Sequence, residues 1–267
     1  MAEINKISPR EFADIASQHP FNDILLTKDY YITVFLYLCK EIDGLYFKGG
    51  TALQKIFLDY SRLSEDIDYT VTIEMEEAKR KITEAIKASQ FATSITKDKD
   101  VEGFTRLVIN YKGFGDEEGK VFIDLNKRAK LLLKPERHEI KHFYPGYIPA
   151  FSVNTLARDE MFAEKVAATV GRNRPRDHYD VYTILKAGLP INLELVRQKC
   201  KQSGTNFNIQ RMFSKADKLK VRWDRDMIPL LAEEVPFVEV MRTLASHFKL
   251  KEVKEAEKEH RRNILKK

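Results

Sequence analysis

The chain has 267 residues, 43% of them hydrophobic, enough to bury the core of one large or two modest domains. Its 46 basic and 40 acidic side chains leave a net charge of +6, which favours an anionic partner but describes a mixed surface and excludes a polycation. No stretch approaches the roughly 18 to 20 apolar residues of a membrane-spanning helix, the opening MAEINKISPREF lacks a signal-peptide core, and Cys39 and Cys200 have no metal-ligand spacing, so a cytoplasmic protein without a disulfide is expected.

In chain order, Ser8-Pro9-Arg10-Glu11 opens a short helix, and residues 28–41 read as a second with Tyr31, Val34, Phe35 and Leu38 on one face. Leu45-Tyr46-Phe47 reads as a short strand, Gly49-Gly50 as a tight turn, and residues 51–58 as a helix with Ala52, Leu53, Ile56 and Phe57 apolar. Such a turn leaves backbone N–H groups unobstructed at the positive end of a helix, where a phosphate is stabilised. Thr51 either caps that helix or holds a phosphate oxygen.

Arg62 and Ser64 lead into an alternating strand over 64–71. Asp66 and Asp68 occupy alternate positions and therefore share a face, with Cα atoms roughly 6.5–7 Å apart. Two carboxylates so placed converge on hard cations, and Mg²⁺, usually held by one or two carboxylates plus substrate phosphates, is the expected guest. Each piece alone is commonplace: a Gly-Gly-Thr is usually just a turn into a helix, an Asp-x-Asp is usually solvated, and an arginine such as Arg62 is often simply a surface cation. Their succession as strand, turn, helix and acidic strand favours a nucleotide site.

Downstream, residues 75–89 have helical periodicity, and residues 104–111 and 120–126 read as strands extending the same sheet. Asp124 interrupts the apolar run Val121-Phe122-Ile123, a costly placement unless the carboxylate is paired; it either caps a turn at the strand end or serves the site. From about residue 150 the pattern becomes helical, over 155–170, 177–187, 193–202 and most of 227–259. Lys165 lies at the margin of the stripe Phe162, Val166 and Val170, where most lysines are surface residues, and the basic turn Gly171-Arg172-Asn173-Arg174-Pro175-Arg176 enters a helix through Asp177, a natural N-cap. His138 and His142 are one helical turn apart, but Pro135 and Pro145 flank them and no zinc is expected. The charged C-terminal stretch from residue 250 reads as a solvated tail.

Gly49-Gly50-Thr51, a spacer, Arg62-Leu63-Ser64 and Asp66-Ile67-Asp68 together resemble the nucleotidyltransferase superfamily with the DNA polymerase β type of fold. The Arg-x-Ser prefix resembles, more narrowly, the AbiEii/AbiGii branch of toxin-like enzymes, whose MenT members act on tRNA; Thr51 replaces the commoner serine and keeps its hydroxyl. Lys165, followed by Arg176, Asp177, Tyr179 and Asp180, resembles the branch's later motifs.

The resemblance implies an α/β (α+β) nucleotidyltransferase domain with a mixed sheet over residues 1–150 and a helical domain over 151–267 completing the nucleotide and acceptor cleft. It implies that Gly49, Gly50, Thr51, Arg62 and Ser64 bind the nucleotide, that Asp124 joins Asp66 and Asp68 as a metal ligand, that Lys165 contacts the triphosphate, and that Asp177 orients Lys165 or a nearby arginine, or acts as a base. The implied function is Mg²⁺-dependent transfer of a nucleotide from an NTP to the 3′ end of tRNA, as the toxin of an abortive-infection phage-defence pair with a cognate antitoxin. A small-molecule nucleotidyltransferase, a phosphotransferase and a non-catalytic nucleotide or RNA-binding module are the alternatives; the intact Asp-x-Asp argues against the last.

Overall fold

The computed structural model describes residues 4–172 and 174–264. Their backbone divides into two compact units, one running through Met161 and including Pro229–Glu233, the other made of Phe162–Ile228 and the chain from Glu234 onward.

The first unit begins with α1 (Pro9–Ala16), closed by a capping box in which the Ser8 hydroxyl accepts from the Glu11 N–H and the Glu11 carboxylate accepts from the Ser8 N–H. Next comes α2 (Asp23–Cys39), capped by Asn22 and buried on nearly every side. Around these helices is a mixed seven-stranded sheet in the order β3-β4-β5-β2-β1-β7-β6. Its strands are β1 (Leu45–Lys48), β2 (Asp66–Val71), β3 (Ser94–Val101), β4 (Phe104–Lys112), β5 (Glu118–Asn126), β6 (Glu136–Glu139) and β7 (Ser152–Thr155). Helix α3 (Gly49–Ile56) links β1 to β2, and α4 (Met75–Lys87) links β2 to β3. At the centre β2 runs antiparallel to β1 and parallel to β5. Ile67, Leu107, Ile109, Val121, Ile123 and Leu125 alternate onto the buried face with Ile82 and Ile86 of α4 also in the core, leaving Asp66, Asp68 and Asp124 on the opposite face.

The second unit is helical. Its chain takes in α5 (Arg158–Gly171) from Phe162 onward, then α6 (Pro175–Lys186), α7 (Leu193–Gln202), α8 (Ile209–Phe213), α9 (Ala216–Met227), α10 (Phe237–His247) and α11 (Leu250–Ile264). Helix α6 packs on α9 and α10, and its His178 ring nitrogens lie 3.0 Å from the Arg174 carbonyl and 2.8 Å from that of Met212. The long helical pattern over 227–259 is broken where Ile228–Leu230 forms a 3₁₀ turn and Pro236 precedes α10.

Strands β3, β6 and β7, and helices α8 and α9, are additions to the sequence expectation. Strand β3 is a sheet edge whose side chains are almost all exposed, so it has no buried face to impose an alternating pattern. The His138/His142 spacing has no helical meaning, because His138 belongs to β6 and bonds Glu136 at 2.7 Å. No helix among the described residues is long and apolar enough to cross a membrane. Cys39 and Cys200 are free and buried, and burial pushes the Cys39 thiol up to about 12.

Candidate active site

Register builds a row of charges on the sheet face. Lys48 of β1 faces Asp68 of β2, Asp68 faces Asp124 of β5, and Asp124 faces Arg106 of β4. Directly paired residues share a face, so two carboxylates stand side by side with a cation on each flank. Asp66 is two residues before Asp68 on the same face, beside Phe122.

The glycines abut this row. At Gly49 the backbone has φ +81°, a region that L side chains rarely adopt, and a Cβ there would fall on the Asp68 carboxylate. A Cβ at Gly50 would lie 2.7 Å from Nη2 of Arg62 and 3.1 Å from Oγ of Ser64. Gly49, Gly50, Arg62, Ser64, Asp66, Asp68 and Asp124 are thus gathered around the end of β1 and the start of α3. The first-turn N–H groups of α3, beginning with the glycines, have no acceptors within the helix.

Arg62 is 1% exposed. Its Nη1 donates to the Leu63 carbonyl at 2.8 Å, its backbone bridges to Leu231, and the Leu63 N–H donates to Leu230 at 2.7 Å. It therefore carries its charge beneath the Gly50 turn, held by the returning segment Pro229–Glu233. The Thr51 hydroxyl donates to the Asp66 carbonyl. It does not cap α3, which starts at Gly49 rather than at 51; it ties α3 to the acidic strand instead.

Asp124 accepts from Nε and Nη2 of Arg106, each at 2.7 Å. These bonds lead the influences that push the guanidinium above its ordinary value, with the Asp124, Asp66 and Asp98 charges adding to them against burial. Among the described residues no three His, Cys, Asp or Glu side chains gather as a metal centre. Sequence reasoning missed Arg106. Its signal was a lone charge inside the strand Phe104-Thr105-Arg106-Leu107-Val108, with nothing but register to reveal Asp124 as its neighbour.

Within the second unit, Nζ of Lys165 lies 3.2 Å from Asp177 and 2.9 Å from Asp180, with the Asp177 and Asp180 side chains 2% and 0% exposed. Arg172 donates to Asp177 from Nε at 2.8 Å and Nη2 at 2.9 Å. Burial alone would raise the Asp177 carboxyl, but the charges of Lys165 and Arg172 and their hydrogen bonds outweigh it and hold the group well below the usual carboxylate range. Arg174, not Asp177, is the N-cap residue of α6, so the Asp177 side chain is committed to cations instead of to the helix end.

A family model described as the nucleotidyl transferase AbiEii toxin of a type IV toxin–antitoxin system matches residues 36–250. The chain belongs to the AbiEii family. This AbiEii chain is a nucleotidyltransferase, and the family implies an NTP substrate and a cognate antitoxin. Among solved structures it is similar to the MenT4 nucleotidyltransferase toxin of Mycobacterium tuberculosis, at 18% identity and TM-score 0.65, over 91% of this chain and 89% of that one. It is also similar to JHP933 of Helicobacter pylori, at 16% identity and TM-score 0.61, over 92% of this chain and 100% of that one. At these identities the likeness establishes the fold. No curated protein matches the chain.

Proposed function

We propose that this AbiEii protein transfers a nucleotide from an NTP to the 3′ end of tRNA, using the sheet face around Asp66 and Asp68. The observation that carries the reading is the close approach of Gly49 to Asp68 and of Gly50 to Arg62 and Ser64, which supports a locus where N–H groups, a guanidinium and a carboxylate meet. In this reading the first-turn N–H groups of α3 and the Ser64 hydroxyl bind phosphate oxygens, while Arg62 supplies positive charge from beneath. The glycines permit the approach because no Cβ intervenes.

The donor set fits Mg²⁺: two same-face carboxylates suit a cation that completes its shell with water and substrate phosphates, and a full protein cage is not required. Asp66 and Asp68 would hold it, with Asp124 standing next in the row; bound there, Mg²⁺ supplies charge for the departing pyrophosphate and lowers the pKa of the acceptor hydroxyl. Lys165, a point charge fixed by Asp177 and Asp180, is a cation suited to phosphate charge. The domain reading that goes with this is a catalytic domain followed by a helical one. An excess of six positive charges is compatible with an RNA acceptor.

The test is incubation with total tRNA and Mg²⁺ using α-labelled and γ-labelled NTPs in parallel. Label from the α position is expected on the RNA 3′ end, lost with EDTA and reduced at raised salt. Transfer of γ label would establish a phosphotransferase, and α label confined to small molecules would remove tRNA as the acceptor.

A further inference from the structure

We propose that the sheet face beyond the acidic row is a track for single-stranded RNA, with the Phe122 and Phe104 rings taking bases and Lys120 and Lys99 taking phosphates. This deepens the reading of an RNA acceptor and rests on it. Directly paired residues share a face, so register carries the face of Asp66 outward across three strands. Asp66 stands beside Phe122 of β5, Asn126 beside Phe104 of β4, and Arg106 of β4 beside Lys99 of β3. The residues between them, Thr105, Leu107, Val121 and Ile123, are buried on the core side. Phe104 and Phe122 are only half-buried, and Lys99 and Lys120 are exposed.

Each ring is attended by a cation. The Lys120 ammonium lies 5.3 Å from the Phe122 ring centroid and the Arg106 guanidinium 4.8 Å from it, while the Lys99 ammonium lies 5.6 Å from the Phe104 centroid. Arg106 is bound to Asp124, but neither Lys99 nor Lys120 has a carboxylate partner among the described residues. A cation–π contact at an exposed site is weak, so either ammonium moves onto a phosphate oxygen and uncovers its ring. The carboxylates near this patch are themselves engaged: Glu118 is registered opposite Lys112, and Asp98 is 3.9 Å from Nη1 of Arg106. Phe104 is registered on Asn126, four residues along β5 from Phe122, so the rings stand roughly 13 Å apart along the strands. That separation is too great for one nucleoside and suits successive nucleotides of an extended strand. Alternating aromatic and basic side chains are the means by which single strands are held, whereas the bases of a duplex are already stacked and turned inward. Because the face begins at Asp66, a strand laid along it runs up to the carboxylates assigned to the cation.

Binding is read by fluorescence anisotropy of the full chain with a labelled single-stranded RNA of about 12 nucleotides in EDTA, and with the matched duplex; calorimetry follows the four Mg²⁺–NTPs in turn, and thermal melting checks folding. The single strand should bind more tightly than the duplex. Phe122→Leu and Phe104→Leu should each weaken it on the order of tenfold with the salt dependence unchanged. Lys120→Gln and Lys99→Gln should each lower the slope of log affinity against log salt by about 0.7. NTP binding should be the same in all four variants. Unchanged RNA affinity in both phenylalanine variants, or a duplex bound as tightly as the single strand, would overturn the track. Weakened NTP binding by Phe122→Leu would overturn it too, giving that ring to the nucleotide's own base. Should a phenylalanine variant not fold, the lysine variants decide, and an unchanged salt slope in both would overturn the track. A failed track beside α-label transfer to tRNA by the wild type would leave the acceptor reading standing. RNA bound as expected but never labelled would keep the track and remove that reading.

Discussion

Gly49 shows how much of this site depends on one absent side chain. Its φ of +81° costs a non-glycine residue on the order of 1–3 kcal/mol, and a methyl there would also displace the Asp68 carboxylate. Gly49→Ala should therefore lower stability by about that amount and lower the transfer rate by far more than a purely destabilised enzyme would lose; equal losses in melting and in rate per folded molecule would contradict the account. A different residue sets a pH dependence. Burial and then the charge of Lys55 depress His142 to about 4, and its Nδ1 accepts from the Tyr144 N–H at 3.2 Å. The unfolded chain, with a histidine pKa of about 6.5, binds the extra proton first, so stability from this group is complete above about pH 6.5 and is lost as pH falls toward 4. Denaturation midpoints measured between pH 7 and 4.5 should fall less steeply in His142→Gln than in the wild type.

At the level of elements, the acidic strand and the phosphate helix form one device because Thr51 donates to the Asp66 carbonyl. Thr51→Val should cost about 1 kcal/mol and slow transfer, whereas Thr51→Ser should retain the tie; melting curves and single-turnover rates compare the two. Much of this arrangement was legible, since β1, α3, β2 and α7 have periodicity or punctuation of their own, and residues 193–202 were read with the bounds the helix has. What was not legible depended on neighbours distant in sequence. Arg106 meets Asp124 across 18 residues, Arg62 is locked by Leu230 and Leu231, and β3, β6 and β7 exist because the sheet supplies them with partners. Of the two readings open for Asp177, the helix cap fails because Pro175 starts α6 two residues earlier, and the carboxylate turns to Lys165 and Arg172.

For the whole molecule, membership in the AbiEii family gives the enzyme class and the toxin–antitoxin setting, while the acceptor and the cation belong to the proposed function. In the second unit Lys165 is held between two buried carboxylates, and its proposed role in transfer is read by removing its charge. Lys165→Met is expected to slow transfer by on the order of 10²-fold or more, but it also strands Asp177 and Asp180 without their cation, so its melting must be measured beside its rate. The most direct test lies on the sheet face itself. Transfer of α label to tRNA is compared between the wild type and the Asp66→Asn/Asp68→Asn double variant at equal folded concentration. Loss of label transfer with the melting temperature preserved is the result expected here; undiminished transfer would contradict the placement of catalysis at Asp66 and Asp68.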